Sequence, residues 1–252
     1  MTEHEFPTAG PISRSDAIFH VIGGVVNTLW TLSAIAWLIV TWAKIRPSTL
    51  FVIASVLAGI LIGDLITGLL HWAFDTWFNE EIKFLRRMVL IVREHHIYPN
   101  RMFEYSFYHD AGALSVMAFL LTSPLFTYAF LQSAGDSQGF RLLYYAVCAG
   151  VTISLAVVFM FEFHKFGHRR DASQVVRLLQ RLNLVLSYTH HMKHHSGRHD
   201  KNYCLINGHA DRIFGAAGGW RALESIISSL TGATPRSDDR AWLQEFRRRS
   251  EE

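Results

Sequence analysis

The chain has 252 residues, 14 of them histidine and 2 cysteine, with 50% hydrophobic residues, 18% charged and a formal net charge of +3 at pH 7. Two cysteines exclude a disulfide framework and a thiolate zinc protein, and the apolar share excludes a disordered chain. What remains is one domain of ordinary size or a small membrane bundle with a soluble cap.

Residues 1–19 read as a polar N-terminal leader without the basic n-region of a signal peptide, and 20–252 as a single domain. Two nearly charge-free stretches follow, HVIGGVVNTLWTLSAIAWLIVTW over about 20–42 and LFVIASVLAGILIGDLITGLL over about 50–70. Each is close to the ~20 residues a spanning helix needs. Trp30, Trp37, Trp42 and Trp72 suit an interfacial belt. Two further apolar stretches, at about 111–131 and 142–163, flank QSAGDSQG at 132–139, which reads as a hairpin. The expected fold is an all-α integral membrane protein with about four transmembrane helices. His-rich regions at 71–110 and 164–220 form its cap, and a helical tail covers 221–252.

Of the 24 Lys and Arg, one precedes the first span, two lie between spans one and two, five between two and three, one between three and four, and fifteen after span four. The positive-inside rule therefore puts both His-rich regions on the cytoplasmic face, of the cell membrane in a bacterium or of the endoplasmic reticulum in a eukaryote. Topology and anionic lipid account for the positive charge, so nucleic acid is not an expected partner.

Apart from His4 and His20, every histidine falls in the two cap regions, and the hairpin of two spans between those regions returns both to one face. In a helix continuing from the second span, Asp64, Gly68, His71 and Asp75 stand at i, i+4, i+7 and i+11 on one stripe. At its depth Asp64 faces either a helix–helix hydrogen bond or a functional site. Gly59 and Gly63 form a GxxxG pair, read as close helix packing. REHH supplies His95 and His96, EYSFYHDAG supplies His109, and HKFGH pairs His164 with His168 at i, i+4. HHMKHHSGRH contains His191, His194 and His195 as HxxHH, with the further i, i+4 pairs His190–His194 and His195–His199.

A lone histidine is more often packed or solvated than metal-bound, but four clusters brought to one face point to metal. Imidazole suits zinc, copper, iron and nickel. A zinc site is full with four ligands, whereas at least eight histidines compete here, so two ions are expected. Two histidine-rich ions at a membrane face suggest a nonheme di-iron centre that activates O2. The expected ligands are His71, His95, His96, His164, His168, His191, His194 and His195. Asp75, His190, His199, His109 and Asp64 are further candidates, as ligands or as groups supporting them. Glu94, Glu162, Asp171, Asp200 and Asp211 also lie near histidines, and for the three aspartates a solvated surface role is at least as good a reading.

VVRLLQRLNLVLS at 175–187 reads as an interfacial helix or as an amphipathic helix packed beneath the cap. No chemistry is assigned to 221–252, to Cys148, which reads as packing, or to the isolated Cys204.

Taken in order, HWAFDTW, REHHIYP, HKFGH and HHMKHH resemble the motifs of the Kua family of membrane lipid desaturases, over roughly Gly63 to Trp242. That family includes plasmanylethanolamine desaturases, which introduce the plasmalogen vinyl ether bond, and plastid enzymes that desaturate palmitate on phosphatidylglycerol. The resemblance implies metal-site roles for His71, His95, His96, His164, His168, His190, His191, His194, His195 and His199, and for Asp75. The chain departs from the plasmalogen-type pattern at three places. Tyr98 precedes Pro99 where an acidic residue is expected, His109 and Asp110 stand where glutamate is expected, and Ala111 where asparagine is. His109 is thus expected either to replace that glutamate or to mark a different substrate.

The expected activity is O2-dependent desaturation of the alkyl or acyl chain of a membrane lipid, with plasmanyl-to-plasmenyl conversion as one form. No dinucleotide fingerprint, haem motif or iron–sulfur motif accompanies the histidines, so electrons are expected from a cytochrome b5-like or ferredoxin-like protein. A lipid hydroxylase on the same scaffold is the nearest alternative, and a non-catalytic membrane metal-binding or regulatory protein is another. Transport is disfavoured because Asp64 is the one clear polar ligand candidate inside a span.

Overall fold

The Ser13 side chain accepts a hydrogen bond from the Asp16 N–H at 3.1 Å and so caps the first helix, α1, Arg14–Ile45. Arg46, left-handed at φ 45°, closes it ahead of Pro47. The structure is a computed structural model that describes residues 12–83, 85–104, 106–132, 138–196, 199–236 and 248, without the side chains of 108–110. After α1 come α2 (Thr49–Thr76), α3 (Arg86–Ile97), a 3-10 turn (Pro99–Phe103), α4 (Phe107–Leu131), α5 (Gln138–Val158) and α6 (Met160–His168). They are followed by α7 (Gln174–Arg181), α8 (Tyr188–His195), a π turn (Asp211–Gly215) and α9 (Gly219–Thr231), and no strand occurs among the described residues. Among the described residues four helices are long and apolar enough to cross a membrane: α1, α2, α4 from Ala111, and α5. The fold is thus the all-α, four-span architecture expected.

The chain forms two compact units. The helical unit comprises Ile12–Ile66 and Ser106–Glu162. In it Ala34 of α1, Phe126 and Ala129 of α4, and Val147 of α5 form a core, with Trp30 edge-on to Phe119 and Phe130. Small residues let α2 approach α5: a Cβ on Gly59 would lie 2.8 Å from the Ala149 carbonyl, and one on Gly63 2.6 Å from the Ala156 Cβ. The GxxxG pair therefore packs as expected. Leu29, Ile39, Val40, Leu50 and Leu131 point outward and are exposed, whereas Thr31 and Ser154 are buried and hydrogen-bonded to each other at 3.0 Å. Apolar outside and polar pairs inside is the order a bilayer selects.

The second unit takes in the described parts of Thr67–Tyr105 and Phe163–Glu252. Its core is aromatic: Trp220 lies against Trp72 at 6.1 Å and edge-on to Tyr203 at 5.1 Å between ring centroids. Buried Asp211 ties this core together by accepting from the Tyr203 and Cys204 N–H groups at 3.2 and 2.9 Å and from Trp220 Nε1 at 3.2 Å. It is therefore not the solvated residue that its sequence neighbourhood allows. The fourth apolar stretch, read as one segment to 163, divides instead into α5 and α6 around Phe159. Segment 175–187 is helical only to Arg181; α7 buries none of its residues, whereas Val185 and Leu186 beyond it are buried. In the C-terminal tail α9 ends at Thr231, and 237–247 and 249–252 lie outside the described residues.

Candidate metal centre

Successive residues on a helix point about 100° apart, so neighbouring histidines serve different neighbours. On α3, His95 turns to one group and His96 to another; on α8, His191 and His195 turn to the first and His194 to the second. The first group is His95, His164, His168, His191 and His195, with His164 and His168 one turn apart on α6. The second is His71, Asp75, His96 and His194, with His71 and Asp75 one turn apart at the end of α2. Within each group one ligand atom per residue lies within 4.8 Å of all the others. The groups adjoin, since the rings of His71 and His164 are 5.7 Å apart and those of His191 and His194 also 5.7 Å.

Hydrogen bonds alone cannot satisfy the first group. His164 and His191 place their Nε2 atoms 2.8 Å apart, His191 and His168 2.8 Å, and His168 and His164 3.3 Å. A neutral imidazole Nε2 is either donor or acceptor, and three such atoms in mutual contact must include one pair of like kind. His195 Nε2 adds a fourth at 3.0 Å from His191 Nε2, and His95 is buried with neither ring nitrogen hydrogen-bonded among the described residues. A cation taking all the lone pairs resolves this, and a metal–nitrogen bond of ~2.1 Å sets adjacent ligand nitrogens roughly 3 Å apart. The residues therefore fit a metal ion.

In the second group Asp75 is the centre. Its carboxylate lies 3.3 Å from His71 Nε2, 3.4 Å from His194 Nε2 and 3.8 Å from His96 Nε2. The far sides of two of these rings are held by backbone oxygens: His71 Nδ1 donates to the Tyr203 carbonyl at 3.0 Å and His194 Nδ1 to the Lys201 carbonyl at 2.9 Å. That tautomer leaves Nε2 with its lone pair toward the group centre.

Burial holds the imidazoles neutral. It pushes His95, His96, His164, His191, His194 and His195 well below the usual imidazole range, and neighbouring imidazoles add to the effect. His168 is lowered to about 3 by the same cause. A neutral imidazole is the form that binds metal, so no proton has to be displaced near pH 7.

All eight expected primary ligands and Asp75 fall into the two groups. The other candidates whose side chains are described do not. His190 turns to Asp211, its Nε2 3.2 Å from Oδ2, and His199, at φ 53°, stacks on His96 at 4.2 Å. Asp64 is buried on α2 in the helical unit, and the side chain of His109 lies outside the described residues. Sequence reasoning missed Arg236. Its guanidinium donates to the carbonyls of Phe74, Asp75 and Phe78 at 2.8–2.9 Å, and its N–H donates to that of Thr76 at 2.7 Å. It thereby caps the helix end that carries His71 and Asp75. The unpaired carbonyls of a helix C-terminus were a signal that a distant cation was needed, but nothing local identified which one.

Comparison with known proteins agrees with this geometry. The lipid desaturase domain matches residues 60–238. Plasmanylethanolamine desaturase 1 of Mus musculus is 30% identical over 201 residues, 79% of this chain and 73% of the relative. The plasmanylethanolamine desaturase of Myxococcus xanthus is 28% identical over 199 residues, 79% and 68% of the two chains. The chloroplastic fatty acid desaturase 4 of Arabidopsis thaliana is 26% identical over 193 residues, 75% and 56% of the two chains. No solved structure matches.

Proposed function

The chain belongs to the lipid desaturase family, and from that premise we propose that its two histidine groups each hold one iron ion and desaturate a membrane lipid chain with O2. Two adjoining buried groups, each able to hold an ion, carry the reading. Bound iron would activate O2, the oxidant in R–CH2–CH2–R′ + O2 + 2e− + 2H+ → R–CH=CH–R′ + 2H2O. The electrons come from an external cytochrome b5-like or ferredoxin-like carrier on the cytoplasmic face.

The chain's own residues do the positioning. His95, His164, His168, His191 and His195 hold one ion, and His71, His96 and His194 with Asp75 the other. Asp75 contributes negative charge that offsets part of the ionic charge in a buried site. The Tyr203 and Lys201 carbonyls keep His71 and His194 in the ligating tautomer, and burial of the rings keeps bulk water from the reacting lipid. The substrate is an alkyl or acyl chain of a membrane lipid. The names of the Mus musculus and Myxococcus xanthus relatives make the plasmanyl-to-plasmenyl conversion the form to test first.

The test is iron analysis of the detergent-purified protein beside lipid profiling of a host with and without its expression. Two irons per chain and new double bonds, acid-labile ones in the vinyl ether case, are expected. Metal-free protein with an unchanged lipid profile would sink the proposal.

A further inference from the structure

The histidine-bearing unit also contains a cavity of about 880 Å³ away from both ligand groups, within the ~300–1,000 Å³ of small-ligand sites. Arg177, Arg181, Lys193, Lys201, Arg212 and Arg221 line it. Its two carboxylates are already engaged: Asp200 pairs with Arg221 at 2.7 Å, and Asp211 accepts from Tyr203, Cys204 and Trp220. Arg177 and Arg212 donate to neutral oxygens, the Ala172 carbonyl at 2.7 Å and Asn183 Oδ1 at 2.6 Å, which orient each guanidinium without neutralising it. Arg181, Lys193 and Lys201 make no ion pair among the described residues. Five cations thus line one concavity, with no carboxylate left for them among the described residues. An anion with several oxygens would relieve their repulsion.

Residues next to the lining ones in sequence indicate which anion. Leu182 and Leu184 flank Asn183, Ile213 follows Arg212, and Val175 and Leu178 stand beside Arg177 on α7; all five apolar side chains are more than half exposed. Exposed apolar side chains neighbouring the lining residues in sequence, together with the cations that line the cavity, match a phospholipid at headgroup level, with acyl chains on the former and phosphate on the latter. A soluble phosphate would leave those apolar side chains in water.

We propose that this cavity binds the phosphate group of a phospholipid headgroup. The site is distinct from the metal centre. Helix α8 turns His191, His194 and His195 to the ligand groups, and Thr189 and Lys193 lie on its opposite side, lining the cavity. The proposal therefore stands whether or not the reaction at the metals is the one proposed above.

Calorimetric titration of the full chain in neutral detergent tests it, with dihexanoylphosphatidylglycerol, dihexanoylglycerol and inorganic phosphate as probes. The phospholipid should bind, the diacylglycerol should not, and inorganic phosphate should bind at least about tenfold more weakly. Replacing Arg177→Gln together with Arg181→Gln on α7 should weaken phospholipid binding at least about tenfold while the metal content stays that of the wild type, which also reports that the variant is folded. Lys193→Gln, on a different helix, should weaken it severalfold and serves should the double variant not fold. Unchanged binding in both variants, or binding of the diacylglycerol as tight as that of the phospholipid, overturns the proposal. So does inorganic phosphate binding as tightly as the lipid, which would make this a soluble-phosphate site. Variants that lose only the binding of an acidic redox protein would overturn it in favour of a protein partner.

Discussion

Two buried polar clusters, one in each compact unit, have opposite outcomes. In the helical unit Thr31, Ser154 and Asn27 are buried and answer one another, Thr31 with Ser154 at 3.0 Å and Ser154 with Asn27 at 3.4 Å. In the histidine-bearing unit His95 is buried with ring nitrogens that make no hydrogen bond among the described residues, and His164, His168 and His191 meet in a triangle that protons cannot satisfy. Unanswered buried polarity costs folding free energy. A cluster that answers itself ties helices together, and one that cannot is completed by a ligand.

Breaking the second kind of cluster should have the largest effect. His194→Ala removes a ligand at the centre of the second group, and we expect desaturation to fall below detection and iron to drop to one per chain or less, with membrane insertion retained. Full activity in that variant would remove His194 from the site. Arg236→Gln leaves every ligand in place but weakens the cap on the carbonyls of Phe74, Asp75 and Phe78. Loss of such a support is expected to lower metal affinity or activity by about 10–100-fold, read by iron titration against chelator. The smallest effect should follow Thr31→Val with Ser154→Ala. It removes the Thr31–Ser154 pair and the bond that Ser154 donates to Asn27, costs about 1–3 kcal/mol of stability in a chemical denaturation series, and leaves lipid desaturation unchanged. A loss of activity there comparable with that of His194→Ala would erase the distinction between the two units.

Much of the fold was legible because its signals are local. Hydropathy over about twenty residues marks a spanning helix whatever surrounds it, and HKFGH or HxxHH marks a helix face at i, i+4. The division of the fourth apolar stretch at Phe159 carried no such signal. In the candidate metal centre the residues that gather into the two groups were legible as a set, but their division was not. Nothing in the order HHMKHH distinguishes His190, which turns to Asp211, from His191, which turns to His164 and His168. Asp200 and Asp211 look alike in sequence, yet one pairs with Arg221 at a cavity wall and the other is buried at the heart of an aromatic core.

Sequence alone determined that this protein is four apolar helices and a set of histidines in ordered motifs, because length, hydropathy and helical spacing are properties of a contiguous segment. Tertiary structure decided how those histidines divide. His95 and His96 are chemically the same and adjacent, and they join different groups because α6 lies on one side of α3 and the end of α2 on another. It also decided that Arg236, 161 residues from Asp75, secures the helix end beside the second group. Such assignments depend on which distant segments meet, and no local pattern encodes that.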